Sequence, residues 1–68
     1  MNATEIPATV LAAIADIAAG RAPVASVARS KAAAPYITER SSGMLTRRSY
    51  IASSYRLTQL GREVAASL

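Results

Sequence analysis

Residues 43–68 read GMLTRRSYIASSYRLTQLGREVAASL and contain two strand-like segments followed by a helix-like one. The segments 45–48 and 55–57 alternate apolar or aromatic residues with polar ones, as half-buried antiparallel strands do. Thr58 follows them, and its hydroxyl can accept a hydrogen bond from the free backbone N–H groups at the start of a helix. Apolar residues then recur every four positions, at Leu60, Val64 and Leu68. The sequence therefore predicts a β-hairpin that is closed by a helix.

The first helix is predicted from a stripe of branched apolar residues near the start of the chain. These residues recur at three- and four-residue spacing, at Ile6, Val10, Ile14 and Ile17. The helix is expected to begin at or just after Thr4 and to carry Pro7 in its first turn, where the missing N–H breaks no helical hydrogen bond. It is expected to end at Gly20, because glycine readily adopts the left-handed conformation that closes a helix. We interpret it as the main core helix.

Two shorter helices are predicted between the first helix and the hairpin. One covers residues 23–31, and its inward-facing residues are expected to be Val24, Val27 and Ala28. The other covers residues 35–42, because Pro35 pushes the residue before it out of the helical region and so marks a break. This spacing suits a helix-turn-helix, although the turn contains no glycine. The alternative is one continuous alanine-rich helix with a kink at Pro35.

The predicted fold class is therefore α+β and mostly helical, in a single domain of 68 residues. Its predicted core consists of the apolar residues on the inward faces of these elements, namely Ile6, Val10, Leu11, Ile14, Ile17, Val27, Ile37, Leu45, Leu57, Leu60 and Val64. A chain of this length is near the lower limit for an independently stable core. Much of its apolar content is alanine, which buries little area. For this reason we expect the protein to form a homodimer.

The composition limits the chemistry that the chain can perform. Eight basic residues against four acidic ones give a net charge of +4, which favours an anionic partner such as nucleic acid or an acidic protein surface. The sequence contains no histidine and no cysteine, so the usual catalytic base, the strongest nucleophile and the usual transition-metal ligands are missing. Its glycines do not form a phosphate-binding loop. We therefore predict a protein that is not an enzyme and uses no metal and no cofactor.

The sequence also indicates where the protein acts. The longest apolar run, residues 8–19, is interrupted by Asp16 and is shorter than the roughly 20 residues that cross a bilayer. No basic leader precedes it, and Arg21 is the one basic residue near it, whereas helices that bind membrane surfaces are usually lined with them. We therefore predict a cytoplasmic protein with no membrane partner.

The residue order in 43–68 resembles the wing and closing helix of winged-helix DNA-binding domains, especially those of small bacterial or phage regulators. GMLTRR is similar to the start of the wing, and YRLTQLGREV is similar to the passage from the wing into the last helix. The rest of the chain is similar only in the number of its helices. The resemblance implies a small winged helix-turn-helix with three helices, a β-hairpin wing and a closing helix. It implies double-stranded DNA as the partner, and a role in transcription regulation or as an accessory factor in recombination.

The resemblance also implies which residues contact DNA. The wing residues that would lie along the phosphate backbone are Arg47, Arg48 and Arg56. Phosphates flanking the major groove would be contacted by Arg29 and Lys31. The third helix would enter the major groove, and its outward-facing candidates for reading bases are Tyr36, Thr38, Glu39 and Arg40. Two further arginines, Arg21 and Arg62, are predicted to lie away from the wing.

A second hypothesis keeps the same fold but assigns it to a different class of function. The protein would be a binding module that inhibits or modulates a partner protein with an acidic surface. Tyr50 and Ile51, near the tip of the hairpin, would form the contact, because an exposed aromatic-aliphatic pair usually marks an interaction surface. Titration against duplex DNA at two salt concentrations separates the two hypotheses.

Overall fold

The protein is a small α+β fold in which helices pack around one antiparallel hairpin. The computed structural model describes residues 5–45 and 51–68, and for residues 41–45 and 51–53 it describes the backbone alone. The elements in chain order are α1 (Ala8–Ala18), α2 (Ala25–Ala28), a 3₁₀ helix (Lys31–Ala33), β1 (Ile37–Leu45), β2 (Ile51–Leu57) and α3 (Gln59–Ser67). The predicted α+β class is therefore confirmed.

Helix α1 is the central element of the core, as the sequence predicts. Val10 and Ile14 are 1% and 0% exposed, the two most deeply buried large side chains among the described residues. The predicted start of the helix near Thr4, with Pro7 in its first turn, is wrong, because Pro7 occupies the N-cap position and the helix begins at Ala8. After the helix, Gly20 adopts a φ of +81°, which confirms its predicted part in ending the helix.

The predicted second helix, residues 23–31, is broken into two short pieces. Helix α2 occupies Ala25–Ala28, and the 3₁₀ helix follows after Ser30. The hydroxyl of Ser30 donates to the carbonyl of Val27 at 2.6 Å and accepts from the N–H of Ala33 at 3.3 Å. Serine hydroxyls compete with the backbone for such partners, so one helix ends and another begins at this residue.

The prediction of a third helix over residues 35–42 is wrong, and so is the alternative of a kinked continuous helix. The chain leaves the 3₁₀ helix through a turn and enters β1 at Ile37. Apolar Ile37 and polar Thr38 are both β-branched and begin an alternation that suits a strand. Ile37 also lies opposite Leu57 of β2, and this non-local pairing overrides the local helical preference of the alanine-rich sequence before it.

The hairpin is longer than the sequence predicts and begins earlier. Residues 55–57 lie in β2 as expected, and of the predicted strand 45–48 the structure describes residue 45, at the end of β1. The described pairs nearest the helices are Ile37 with Leu57, Thr38 with Arg56, Glu39 with Tyr55, and Arg40 with Ser54. Because successive side chains point to opposite faces of a strand, these pairs define an inner face toward the core and an outer face.

The core agrees with most of the predicted set. Its buried members are Ile6, Val10, Ala13, Ile14, Ala28, Ala33, Tyr36 and Ile37. Predicted core residues that are partly buried against this cluster are Leu11, Ile17, Val27, Leu57 and Val64. The side chain of Leu45 is outside the described part of the chain.

Three burial predictions are wrong. Val24 is 63% exposed because it caps the start of α2 in extended conformation and does not lie on its inner face. Leu60 is 38% exposed because Gly61 occupies the buried position of α3 instead. Tyr36 was predicted to face outward, but it is 3% exposed, because it precedes a strand and lies in the core.

Helix α3 is attached to the start of the hairpin by Thr58. Its hydroxyl accepts from the N–H of Gly61 at 3.1 Å, which is the predicted N-cap. The same hydroxyl donates to the carbonyl of Pro35 at 2.7 Å, and the Thr58 N–H donates to the carbonyl of Tyr36 at 2.9 Å. These bonds join the closing helix to the turn that leads into β1. Within residues 5–45 and 51–68, no helix has the length and apolar character that crossing a bilayer requires.

Candidate nucleic-acid interface

Four polar side chains of the described residues lie on the outer face of the hairpin. The pairs Thr38 with Arg56 and Arg40 with Ser54 bring them side by side, and all four residues are exposed. On the inner face, Ile37 is buried and both Leu57 and Tyr55 pack against the core. The strand alternation thus separates a core-facing surface from a hydrophilic one.

This outer face is positively charged and carries no carboxylate at the four described positions. Arg40 and Arg56 are diagonal neighbours in the register, so the two residues lie about 7–8 Å apart across the hairpin. The two hydroxyls are directed across the hairpin, with Thr38 donating to the carbonyl of Arg56 and Ser54 to that of Arg40, each at 3.4 Å. Two guanidinium groups with planar sets of donors are suited to bind phosphate oxygens.

Glu39 lies between Thr38 and Arg40 in β1, so its side chain points to the opposite face, where it forms an ion pair. It lies opposite Tyr55 on the inner face. Its Oε2 atom is 2.7 Å from Nε of Arg29, the residue that ends α2. The hydrogen bond and charge of the Glu39 carboxylate raise the pKa of Arg29 above its ordinary value. Arg29 is charged at physiological pH, and its charge lies beside that of the Glu39 carboxylate. The sequence analysis predicts Arg29 as a phosphate contact. In the structure, its partner is the carboxylate of Glu39.

The other predicted contacts are placed in different ways. Lys31 is exposed on the 3₁₀ helix, while Tyr36 is buried and cannot reach a ligand at the surface in this structure. Because residues 35–42 do not form a helix, a reading helix built from Tyr36, Thr38, Glu39 and Arg40 is ruled out. Three of the predicted contact residues lie outside the described part of the chain, namely Arg47, Arg48 and Tyr50. The backbone of Ile51 begins β2, and its side chain is outside the description.

Sequence reasoning misplaced two other arginines. Nη1 of Arg62 on α3 donates to the carbonyl of Leu57 in β2 at 3.0 Å. Arg21 lines a groove beside Ser54 and Tyr55 of the same strand. Both residues therefore lie next to the hairpin, at the edge of β2 that β1 does not cover. No periodicity in the sequence indicates this, because both contacts depend on how the helices pack against the hairpin.

Comparison with known proteins identifies no relative. Neither the protein-family models, nor the curated proteins, nor the solved structures include a match to this chain. In the described residues, no three acidic side chains lie close enough together to hold a metal ion.

Proposed function

We propose that this protein binds double-stranded DNA through the outer face of its hairpin, with Arg40 and Arg56 on backbone phosphates. The observation that carries the proposal is the diagonal pair of exposed arginines on a face without a carboxylate at its described positions. The net charge of +4 adds a general attraction to a polyanion. Arg47 and Arg48, which the resemblance to winged-helix domains also assigns to the backbone, belong to the same proposal.

Duplex DNA is favoured over single strands because the described positions of this face, Thr38, Arg40, Ser54 and Arg56, carry no aromatic side chain. Proteins that bind single strands stack bases on exposed aromatic side chains. Among the described residues, Tyr36 is buried and Tyr55 lies on the inner face, so neither offers a ring to a base on the outer face. Thr38 and Ser54 provide only short hydroxyl side chains between the two arginines.

We propose binding that depends little on DNA sequence. Phosphate contacts set the position of a protein on the duplex but carry no sequence information. In the winged-helix family, the helix before the wing reads bases, whereas the residues before β1 here form a 3₁₀ helix of three residues, Lys31–Ala33. That helix is too short to place several side chains in the major groove.

The finer assignment follows from the resemblance in residues 43–68. We propose that the chain is a winged-helix-like protein of a bacterium or a phage, acting in transcription regulation or as an accessory factor in recombination. Its support is the sequence Leu57-Thr58 with Gly61-Arg62, which joins the hairpin to the closing helix. The homodimer and the cytoplasmic location remain predictions.

Fluorescence anisotropy against a random-sequence duplex tests the proposal. Binding should weaken steeply as salt rises, and an unrelated duplex of equal length should bind with similar affinity. The corresponding single strand should bind more weakly. Failure to bind duplex at low salt, or equal loss of binding on replacing any arginine regardless of position, would contradict the proposed site.

A binding module for an acidic partner protein is the second candidate function. A separate observation favours it: the edge of β2 away from β1 borders a groove that Arg21 lines. This surface is distinct from the outer face and supports an inference of its own.

A further inference from the structure

The free edge of β2 presents main-chain groups that β1 does not use. The Thr58 N–H donates to the carbonyl of Tyr36 at 2.9 Å. Tyr36 and Thr58, which lie just before β1 and just after β2, therefore form a hydrogen-bonded pair. Hydrogen-bonded and non-hydrogen-bonded pairs alternate along an antiparallel ladder. The pair of Glu39 and Tyr55, three steps along the same register, is therefore non-hydrogen-bonded. The N–H and C=O groups of Tyr55 point away from β1.

Arg62 confirms this direction and closes one end of the edge. Its guanidinium donates to the carbonyl of Leu57 at 3.0 Å. Leu57 and Tyr55 are two residues apart on β2, so their main-chain groups point in the same direction. The carbonyl of Leu57 is thus occupied. The next outward-pointing residue, Tyr55, lies two residues away, at a distance of about 6.6 Å along the strand.

A groove with a volume of about 320 Å³ runs beside Tyr55. Its opposite wall is the loop of residues 20–23, and Ile17 contributes to its lining. Pro23 in that loop has no N–H to donate, and the described part of the chain shows no backbone hydrogen bond between this loop and β2. The volume falls at the lower end of the range for ligand sites in proteins, about 300–1,000 Å³.

The charge around this edge is positive. Arg21 borders the groove, and Arg62 lies at the Leu57 end. Asp16 is the carboxylate paired with Arg21, at 3.3 Å, and the Arg21 side chain remains 69% exposed. Two guanidinium groups with one carboxylate partner favour a ligand that brings further carboxylates.

We propose that the free edge of β2 binds an extended acidic peptide from a partner protein. The peptide adds as a third strand, its main chain pairs with Tyr55, and one of its carboxylates faces Arg21. Addition of a strand to an exposed sheet edge is a common way to recognise peptides, in which main-chain bonds supply affinity and side chains supply specificity. This site uses neither Arg40 nor Arg56, so it does not depend on DNA binding.

The test uses a fluorescent, end-blocked octapeptide of alternating glutamate and valine, together with the full chain. Saturable binding is expected, with a change in the NMR shift of the Tyr55 amide and slower exchange of its hydrogen. An otherwise identical peptide, N-methylated at the amides that would face β2, should not bind, because methylation removes its donors. A peptide with lysine in place of glutamate should bind more weakly than the glutamate–valine peptide, because its charges are repelled by Arg21 and Arg62.

Matched arginine variants locate the site. Arg21→Ala should weaken the glutamate–valine peptide about two- to fivefold, the range expected for an exposed ion pair. Arg40→Ala removes the same charge from the outer face and should leave peptide binding unchanged. The proposal is overturned if the N-methylated peptide binds equally well, if both variants weaken binding equally, or if no saturable binding is seen at millimolar peptide. Because duplex binding is measured separately, either proposal can fail without the other.

Discussion

Gly61 lies against the backbone of Tyr36 so closely that a β-carbon at position 61 would collide with the Tyr36 carbonyl oxygen. The same β-carbon would lie 3.1 Å from the carbonyl carbon of Tyr36 and 3.3 Å from the β-carbon of Leu57. Helix α3 therefore approaches the start of the hairpin at a distance that only glycine permits. This contact and the bonds of Thr58 fix the position of the hairpin relative to the helices.

Gly61→Ala should destabilise the protein, although helix propensity favours the change. Alanine in a helix interior is preferred over glycine by about 1 kcal/mol. Collision with a backbone carbonyl costs about 1–3 kcal/mol or more, because a backbone group cannot move aside like a flexible side chain. We expect the collision to prevail and the Tm to fall by several degrees. Gln59→Ala, at an exposed position of the same helix, should leave the Tm almost unchanged. A higher Tm for Gly61→Ala would show that the close approach does not exist.

Thr58→Val should cost about 1–2 kcal/mol of unfolding free energy. Valine keeps the shape of threonine but can neither accept from Gly61 nor donate to Pro35, so the N-cap is lost. Thr58→Ser retains the hydroxyl and should restore most of the stability. Chemical denaturation of the three proteins measures the difference. If the serine and valine variants are equally destabilised, the hydroxyl is not what joins α3 to the hairpin.

Ile14 and Leu60 provide a direct test of the observed core. Ile14 is 0% exposed, so Ile14→Ala should cost roughly 2–5 kcal/mol, a large part of the stability of so small a domain. Leu60 is 38% exposed, and Leu60→Ala should cost less than about 1 kcal/mol. Denaturation midpoints measured in urea distinguish the two. Equal losses would mean that α3 buries Leu60, as its four-residue periodicity suggests.

The parts of the fold that local chemistry specifies could be predicted from the sequence. The cap at Thr58, the end of α1 at Gly20 and the stripe around Ile14 each depend on residues close together in the chain. Residues 35–42 could not be assigned in this way, because Pro35 fits the start of a helix as well as a turn, and the deciding partner of Ile37 is Leu57, twenty positions away.

The inward face of α3 shows a second limit of sequence patterns. Hydrophobic periodicity is judged from apolar side chains, and glycine has none. The periodicity therefore predicts Leu60 as the buried residue of α3. The buried position is Gly61, with Val64 and Ala65 packed against the core beside it. The helix is thus turned by about one residue from the predicted orientation. The sequence predicts Arg56 and Arg40, the two arginines of the candidate site, as DNA contacts. It places Arg40 on a helix, however, whereas the structure places it on a strand.

Arg40 and Arg56 provide the sharpest test of DNA binding, because the salt dependence of affinity counts the charges that touch phosphate. Each phosphate contact that is lost should lower the slope of log affinity against log salt by about 0.9. Arg40→Ala and Arg56→Ala should each do so, and the double variant should lower the slope by about 1.8. The loss should be nearly the same on every duplex, since these contacts carry no sequence information. Arg21→Ala removes an identical charge beside the free edge of β2, where Asp16 already pairs with it, and should change the slope much less. Should all three single variants lower the slope equally, the attraction is a property of net charge and the outer face has no special part in it.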